Sequence, residues 1–412
     1  MKSSLVQVAF LLMGFCFFQV CFLNADITNL GGFAANSISE GWAVSGDGGI
    51  VVGYSNEFGD NEGFIWNKFE GMSRIGDLEG GLTNSQAWGI SADGTVACGG
   101  SSTFNGLEAY RRTEKGIFGL GTLDPGDVPF ASQARGASSN GDVIVGYSNS
   151  DNSQEAFRWT EETGMVGLGD LPGGDFFSFA WGISSDGQII VGDSNGSHGN
   201  EAVYWNSELD IVGIGDLPGG SFFSRAYATS QDGSVIVGES IGTNGTEAFI
   251  WTADSGMLGL GDLPGSAFLS RAYGVSGDGS IVVGHGLTQS GLEATIWTKE
   301  LGLVSLSDYL QSLGFDLSDW MKLETAANIS ADGNYIVGTG RNLNGQRQAF
   351  LANLDDSVLL GDVNQDCQIS LLDVAPMVQQ ISSGNFQPEA DINQDGSVNL
   401  LDVDPFVELL SR

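Results

Sequence analysis

The sequence predicts an all-β protein, a seven-bladed β-propeller of four-stranded blades, followed by a small α-helical calcium module. Three observations predict it. Residues 26–355 repeat one motif seven times, at intervals of about 46 residues. Each copy divides into four short apolar segments separated by turn residues. Beyond them the texture changes, and two twelve-residue runs place oxygen-bearing side chains at regular steps.

The first element is residues 1–25. Lys2 precedes an apolar stretch that ends near the small residue Ala25, the pattern of a secretory signal peptide. An uncleaved anchor is the other reading, but the apolar run is short for a membrane span. No other long apolar run follows, so the mature chain is expected to have no membrane span. Cys16 and Cys21 lie in this segment. Only Cys98 and Cys367 remain, which excludes a disulfide framework and leaves at most one bridge. With 63 Gly against 8 Pro, the 412-residue chain suits tight turns between short strands. A formal net charge of −36 argues against nucleic acid and anionic membranes as partners and favours divalent cations.

The repeats come next. A turn position recurs at Asp47, Asp93, Asn140, Asp186, Asp232, Asp278 and Asp332. A second series marks the same period at Trp66, Arg112, Trp159, Trp205, Trp251, Trp297 and Ala352, and the last copy carries an insertion around Ser307–Leu323. In the copy ending at Thr298 the strand-like pieces are Ala272–Ser276, Ile281–His285, Glu293–Trp297 and Leu303–Leu306. Asp-Gly between apolar runs signals a hairpin whose two central residues take positive φ. Four strands in about 46 residues fit one propeller blade; a β-solenoid coil is shorter and ranks second. The stretch from Ile27 matches piece four, and the last copy stops at piece three, Gln348–Ala352. The first strand is therefore expected to complete the last blade and hide the open edge.

Candidate chemistry within the repeats is sparse. One first-strand position reads Trp42, Trp88, Arg135, Trp181, Tyr227, Tyr273 and Ala327, with small neighbours. Packing between blades is the preferred reading and sugar stacking the functional alternative. Glu62, Glu108, Glu155, Glu201, Glu247 and Glu293, with Gln348 in the last copy, share another position. Backbone bonding, or pairing with an Arg such as Arg225 or Arg271, is preferred there over a cation-binding ring. Hydrolysis needs one asymmetric constellation, whereas the blades look uniform and the only histidines, His198 and His285, sit in different copies. No catalytic residue is assigned. The loops Asp175–Phe179, Ser221–Ser224 and Ala267–Ser270 put aromatics on one edge, a surface for a glycan or peptide or a cover for the blade ends.

The repeat signature is Gly-Asp-Leu-Pro-Gly-Gly, then Ala-Tyr-Gly-Val-Ser-x-Asp-Gly-Ser-x-Val-Val-Gly, then Glu-Ala-Phe-x-Trp-Thr. It resembles the HAF family of bacterial extracellular repeat proteins over nearly all of residues 26–355. Glu stands here where family members often have the His of His-Ala-Phe. The resemblance implies a fold and an extracellular location rather than an activity.

The last element is the pair Asp362–Asp373 and Asp391–Asp402. Both follow EF-hand loop logic, with oxygen donors at places 1, 3, 5, 9 and 12 and a backbone carbonyl at place 7. An apolar helix-like run follows each, Leu371–Ile381 and Leu400–Leu410. The pair, with its flanks at residues 359–412, resembles a type I dockerin, with Asp rather than Glu at place 12. The resemblance implies calcium ligands at Asp362, Asn364, Asp366, Gln368 (backbone), Ser370 and Asp373. In the second loop they are Asp391, Asn393, Asp395, Ser397 (backbone), Asn399 and Asp402. It implies two ions, a weaker first site because Cys367 replaces the usual Gly, and a cohesin-like or other cell-surface partner. Leu371–Leu372 and Leu400–Leu401 stand where cellulosomal dockerins are often polar. The function expected is a secreted, non-catalytic binding or scaffold propeller held on an extracellular assembly or cell surface. The alternative is a polysaccharide-degrading enzyme, a glycoside hydrolase or lyase, or its carbohydrate-binding accessory.

Overall fold

The computed structural model describes residues 26–57, 59–124, 126, 129–354, 374–383, 390, 398, 399 and 403. The expected signal segment 1–25, Cys367 and eleven of the twelve expected calcium ligands lie outside them: Asp362, Asn364, Asp366, Gln368, Ser370, Asp373, Asp391, Asn393, Asp395, Ser397 and Asp402. Two compact units emerge, one spanning Ala25–Asp355 and one containing the C-terminal residues.

The first unit is built of four-stranded antiparallel ladders taken in chain order. After β1 (Asp26–Gly31) come β2 (Ile38–Val44), β3 (Val51–Glu57), β4 (Asp60–Asn67) and β5 (Gly71–Arg74). Next are β6 (Gly80–Ile90), β7 (Ala97–Thr103), β8 (Gly106–Thr113) and β9 (Gly116–Gly121), then β10 (Phe130–Ala137), β11 (Ile144–Ser150), β12 (Ser153–Thr160) and β13 (Gly164–Gly167). These two ladders merge into one eight-stranded sheet through a short parallel contact, Phe130 and Ala131 of β10 against Gly106 and Leu107 of β8. Separate sheets follow: β14 (Gly173–Ile183) to β15 (Ile190–Gly196), β16 (Gly199–Trp205) and β17 (Ile211–Gly213); then β18 (Gly219–Thr229), β19 (Val235–Gly242), β20 (Gly245–Thr252) and β21 (Gly256–Gly259). The next is β22 (Ser270–Val275), β23 (Ile281–Thr288), β24 (Gly291–Thr298) and β25 (Gly302–Ser305), after which the insertion folds as α1 (Leu306–Ser312), capped by the Ser305 hydroxyl. The last sheet is β26 (Trp320–Ile329), β27 (Tyr335–Asn342) and β28 (Arg347–Asn353), with β1 as its fourth strand: Asp26 pairs with Asn353 and Ile27 with Ala352.

Three devices hold the sheets together. Apolar clusters fill the space between neighbours: Val145 and Ala156 of one sheet pack on Ala180, Ile190, Val203 and the fully buried Trp205 of the next. A buried serine on six of the seven first strands then ties neighbours; β26 has Glu324 at that position. Ser85, Ser132, Ser178, Ser224 and Ser270 accept the backbone N–H of Gly63, Ala109, Ala156, Ala202 and Ala248 in the preceding sheet, at 2.8–3.1 Å. Each donates its hydroxyl back to a glycine carbonyl at the end of that sheet's fourth strand or just beyond it. Ser39 of β2 makes the same contact with Ala349 of β28 at 2.9 Å, so the chain of ties runs from the last sheet to the first. Finally the turns bond one another: Gly46 N–H to Ala92 O, Ser139 to Ser185, Ser185 to Gln231, Gln231 to Gly277, and Gly277 to Ala331.

Those turns differ from the expected two-residue hairpin. Only the glycine has positive φ, for example 68° at Gly48 and 77° at Gly233, while the preceding acid keeps negative φ. The buried Ser opening the loop supplies the rest. Ser45 Oγ donates to Asp47 (2.6 Å) and accepts from the Ile50 N–H (2.9 Å), and Ser184, Ser230 and Ser276 repeat this. Each Asp thus caps its own loop, and the Ser and backbone bonds hold Asp47 and Asp278 below the ordinary carboxylate range.

In the second unit, α2 (Val374–Ser383) begins directly after Asp373, with Pro376 in its first turn where no intrahelical N–H is lost. Met377 and Ile381, one turn apart, pack with Ala390 and with Val398, which is place 8 of the second oxygen-rich run. Val374 and Val378 on another face are exposed. No helix among the described residues is long and apolar enough to cross a membrane.

Candidate functional site

In every first strand the register against the second slips by one residue, between Gly41 and Ala43, Ala87 and Gly89, Ala134 and Gly136, Ala180 and Gly182, Ala226 and Ala228, Ala272 and Gly274, and Ala326 and Asn328. The residue left over is Trp42, Trp88, Arg135, Trp181, Tyr227, Tyr273 or Ala327. Such a β-bulge re-aims a side chain out of the ladder. The bulge is possible because the opposing strand offers glycine: a Cβ at Gly53, Gly99, Gly146, Gly192, Gly238, Gly284 or Gly338 would stand 1.8–2.0 Å from a first-strand carbonyl oxygen.

The bulged residues converge. One cavity of about 500 Å³ is lined by all seven, and its rim includes the exposed turn residues Gln231 and Ala331. That volume lies within the range of small-molecule sites. The bulged series was expected to pack between sheets, and its rings do meet across neighbouring sheets; the slip also makes it the wall of this space. Trp42 and Trp88 touch at 4.9 Å between ring centres, and Tyr227 and Tyr273 at 5.1 Å. Arg135 sits between two indoles, 4.2 Å from the Trp88 ring centre and 4.9 Å from Trp181. It donates through Nη2 to Gln133 (2.8 Å), and among the described residues no carboxylate pairs with it. Burial lowers its guanidinium, with Tyr147 opposing.

Beside the cavity lies a polar cluster confined to neighbouring sheets. Asp193, wholly buried, accepts Trp181 Nε1 (2.5 Å) and Arg225 Nε (3.0 Å) on Oδ1 and Asn200 on Oδ2. Glu239 accepts the Tyr227 hydroxyl (2.6 Å) on Oε1 and Arg271 Nε (2.6 Å) on Oε2, with Arg225 at 3.8 Å. Burial alone would depress Arg225, but Asp193, Tyr227 and Glu239 raise it overall. His285, one sheet on, stacks edgewise on Tyr273, and neither of its ring nitrogens has a partner. Burial and Arg271 push it down to about 4.

The sequence reading missed this asymmetry by treating the repeats as uniform. Its signal was present at one register position, the residue after Val-Val-Gly or Ile-Val-Gly (Ala-Cys-Gly in the second copy): Tyr54, Gly100, Tyr147, Asp193, Glu239, His285 and Thr339. Cross-strand pairing sets Arg225 opposite Glu239 and Arg271 opposite His285, so one variable position meets another.

The glutamate series does not gather. Glu108, Glu155, Glu201 and Glu247 accept the N–H of Gly121, Gly169, Gly215 and Gly261 at 2.9–3.0 Å, Glu62 pairs with Arg74, Glu293 lies 3.9 Å from Lys322, and Gln348 donates to Ser37. Arg225 and Arg271 serve Asp193 and Glu239 rather than this series. His198 bonds Ser197 in an exposed turn. Asp175–Phe179 and Ser221–Ser224, expected as loops, lie within β14 and β18, and their phenylalanines are half-buried strand residues. Cys98 is a free, fully buried thiol pushed up to about 12 by burial. Among the described residues no group of three or more His, Cys, Asp or Glu could hold a metal.

Comparison with known proteins decides the C-terminal segment. Residues 360–405 match the type I dockerin domain. The chain thus carries a dockerin, the kind of module that docks a protein onto an extracellular assembly through a cohesin or similar partner, and dockerins bind calcium. No curated protein matches the chain. Solved structures are similar to the β-rich unit in fold. An oligogalacturonate lyase in complex with manganese has a TM-score of 0.50 at 13% identity, covering 80% of this chain and 93% of that one. An oligogalacturonate lyase from Vibrio parahaemolyticus has a TM-score of 0.50 at 12% identity, covering 79% and 93%. A putative TolB from Agrobacterium tumefaciens has a TM-score of 0.44 at 13% identity, covering 77% and 98%. The lyases are propeller proteins, and the likeness is one of fold.

Proposed function

We propose that the chain is a secreted, non-catalytic binding protein. A seven-bladed propeller of HAF-type repeats, residues 26–355, presents the axial cavity and its rim to a glycan or peptide, and the dockerin at 359–412 docks it to an assembly or cell surface. The cavity carries this reading: every repeat contributes its bulged residue to one open cavity. The neighbouring carboxylates support binding over catalysis. Each oxygen of Asp193 and Glu239 already accepts a hydrogen bond from a fixed donor, which leaves neither free as a general base.

The dockerin residues fit calcium. The ligand sets Asp362, Asn364, Asp366, Gln368, Ser370, Asp373 and Asp391, Asn393, Asp395, Ser397, Asn399, Asp402 are hard oxygen donors, suited to two calcium ions. The packing of Val398 on Met377 and the start of α2 after Asp373 suit a loop–helix unit. Val374 and Val378 offer an apolar stripe to the partner. Removing the metal from the full chain with EDTA is expected to lower its helical circular dichroism and abolish partner capture, with calcium restoring both. An unchanged spectrum would sink the calcium assignment.

A second reading rests on the asymmetric Asp193–Arg225–Glu239–Arg271 cluster: a polysaccharide lyase or glycoside hydrolase. A glycan and peptide array, run beside reducing-sugar and unsaturated-product assays on the full chain, separates the two. Binding without turnover is expected; turnover lost in Glu239→Gln would replace binding by catalysis.

A further inference from the structure

We infer that an outer groove between the β14–β17 and β18–β21 sheets binds an organic cation with delocalised or alkylated charge, a quaternary ammonium or a guanidinium head. The groove shares no residue with the axial cavity.

The residue one place before each member of the Trp66 series turns toward the next sheet. Ile65 packs with Ala87 there, and Arg111 lies over the Trp159 ring. Six copies have Ile, Leu or Arg at this position, and only Tyr204 is aromatic. Across the sheets it meets Trp251, 5.9 Å away between ring centres with the planes 42° apart. Both rings are rooted in one apolar cluster with Ala226, Ile236 and Phe249, yet each stays half-buried. They wall an open groove of about 460 Å³, completed by Gly233 and Ser234 of one turn and Asp254 of another.

Two grooves earlier the chain fills the equivalent place with a cation of its own. Arg111 sits 5.1 Å from the Trp159 ring centre, and its Nη1 donates to Glu161 at 3.4 Å. At Trp251 the indole remains and a carboxylate remains, but Tyr204 has replaced the guanidinium. Asp254 is exposed, and among the described residues it accepts no hydrogen bond and pairs with no cation. No Lys, Arg or His lines the groove. Aromatic faces attract a cation, and a carboxylate beside them adds to the attraction. A metal ion needs several oxygen ligands, whereas the groove offers one carboxylate. An organic cation sheds its water more easily and packs on the rings. The formal charge of −36 draws any cation toward the chain.

Ligand-observed NMR titrations of the full chain test this. Choline is compared with its neutral isostere 3,3-dimethylbutanol, acetyl-arginine amide with acetyl-citrulline amide, and glucose serves as a neutral ring. At least one cation is expected to bind about tenfold more tightly than its isostere, the combined range of a cation–π contact and an exposed ion pair. Trp251→Leu should remove that preference, and Asp254→Asn should reduce it about threefold. Tyr204→Arg should fill the groove from within, as Arg111 does, and abolish binding. Should Trp251→Leu fail to fold, Asp254→Asn in its exposed turn still decides. Preference for choline marks a free solute, and preference for the arginine amide marks a side chain on a protein partner; either supports the inference. Equal affinity for cation and isostere overturns it, as does a preference unchanged in Asp254→Asn and Tyr204→Arg, which would place the cations elsewhere on the acidic surface. Glucose binding as tightly as the cations, or no binding by any probe, also overturns it.

Discussion

At the scale of single residues, His285 is a histidine held away from water. It is 5% exposed, both ring nitrogens lack partners, and its proton affinity falls from 6.5 to about 4. The unfolded chain takes up a proton below pH 6.5, the folded chain only near 4. Unfolding therefore binds a proton in that window, and stability falls as pH drops through it, by about 3 kcal/mol at most, then levels off. His285→Phe should flatten that slope in urea midpoints measured from pH 7 to 4; an unchanged slope would place the titration elsewhere. The turn acids act in a lower window. Asp232, held at about 2 by Ser234 and Ser230, loses its contribution only as pH falls from 3.8 toward 2. Position by position, Asp47 and its equivalents were legible because a turn needs a short polar side chain wherever it recurs. Asp193 and Glu239 were not, because their partners Arg225 and Arg271 meet them across strands and between sheets, separations that no local pattern encodes.

At the scale of elements, the strands were legible and their ends were not. The piece Ile281–His285 appears within β23, Ile281–Thr288, and Glu293–Trp297 within β24, Gly291–Thr298. The extra residues run past the apolar stretch because backbone pairing continues after burial stops. For the same reason β14 begins at Gly173, well before Ala180 enters the core. The one-residue slips were invisible too: the apolar pattern does not say which residue is left unpaired, and only the facing glycine reveals the close approach. The serine ties set the energetic weight at this scale. Ser178→Ala would leave the buried Ala156 N–H without its 3.0 Å acceptor, and a loss of about 1–3 kcal/mol in urea unfolding is expected with an unchanged m-value. Ser197→Ala, in an exposed turn, serves as the neutral control.

For the molecule as a whole, the decisive bonds join residues some three hundred positions apart. Beyond β1 and the Ser39 tie, Arg347 bridges Glu324 of its own sheet (3.1 Å) and Glu40 of the first (2.6 Å), and Gln348 reaches Ser37. Deleting residues 26–31 is expected to bare the β28 edge and produce self-association visible by light scattering. A monodisperse deletion variant would show that the other contacts suffice. The period announced a repeating array, and the phase of its two ends announced where they meet. What the array surrounds was hidden, because a cavity wall assembled from one bulged residue per repeat has no contiguous signature.

The position of β28 bears on mechanics. It is an interior strand, flanked by β27 on one side and β1 on the other, and the chain continues from it toward the dockerin. Tension arriving along the tether pulls β28 lengthwise, so both flanking rows of hydrogen bonds are loaded in shear rather than unzipped one by one. With its first strand on the far side of β28, the chain sets two rows of hydrogen bonds against drag from flow or a moving substrate.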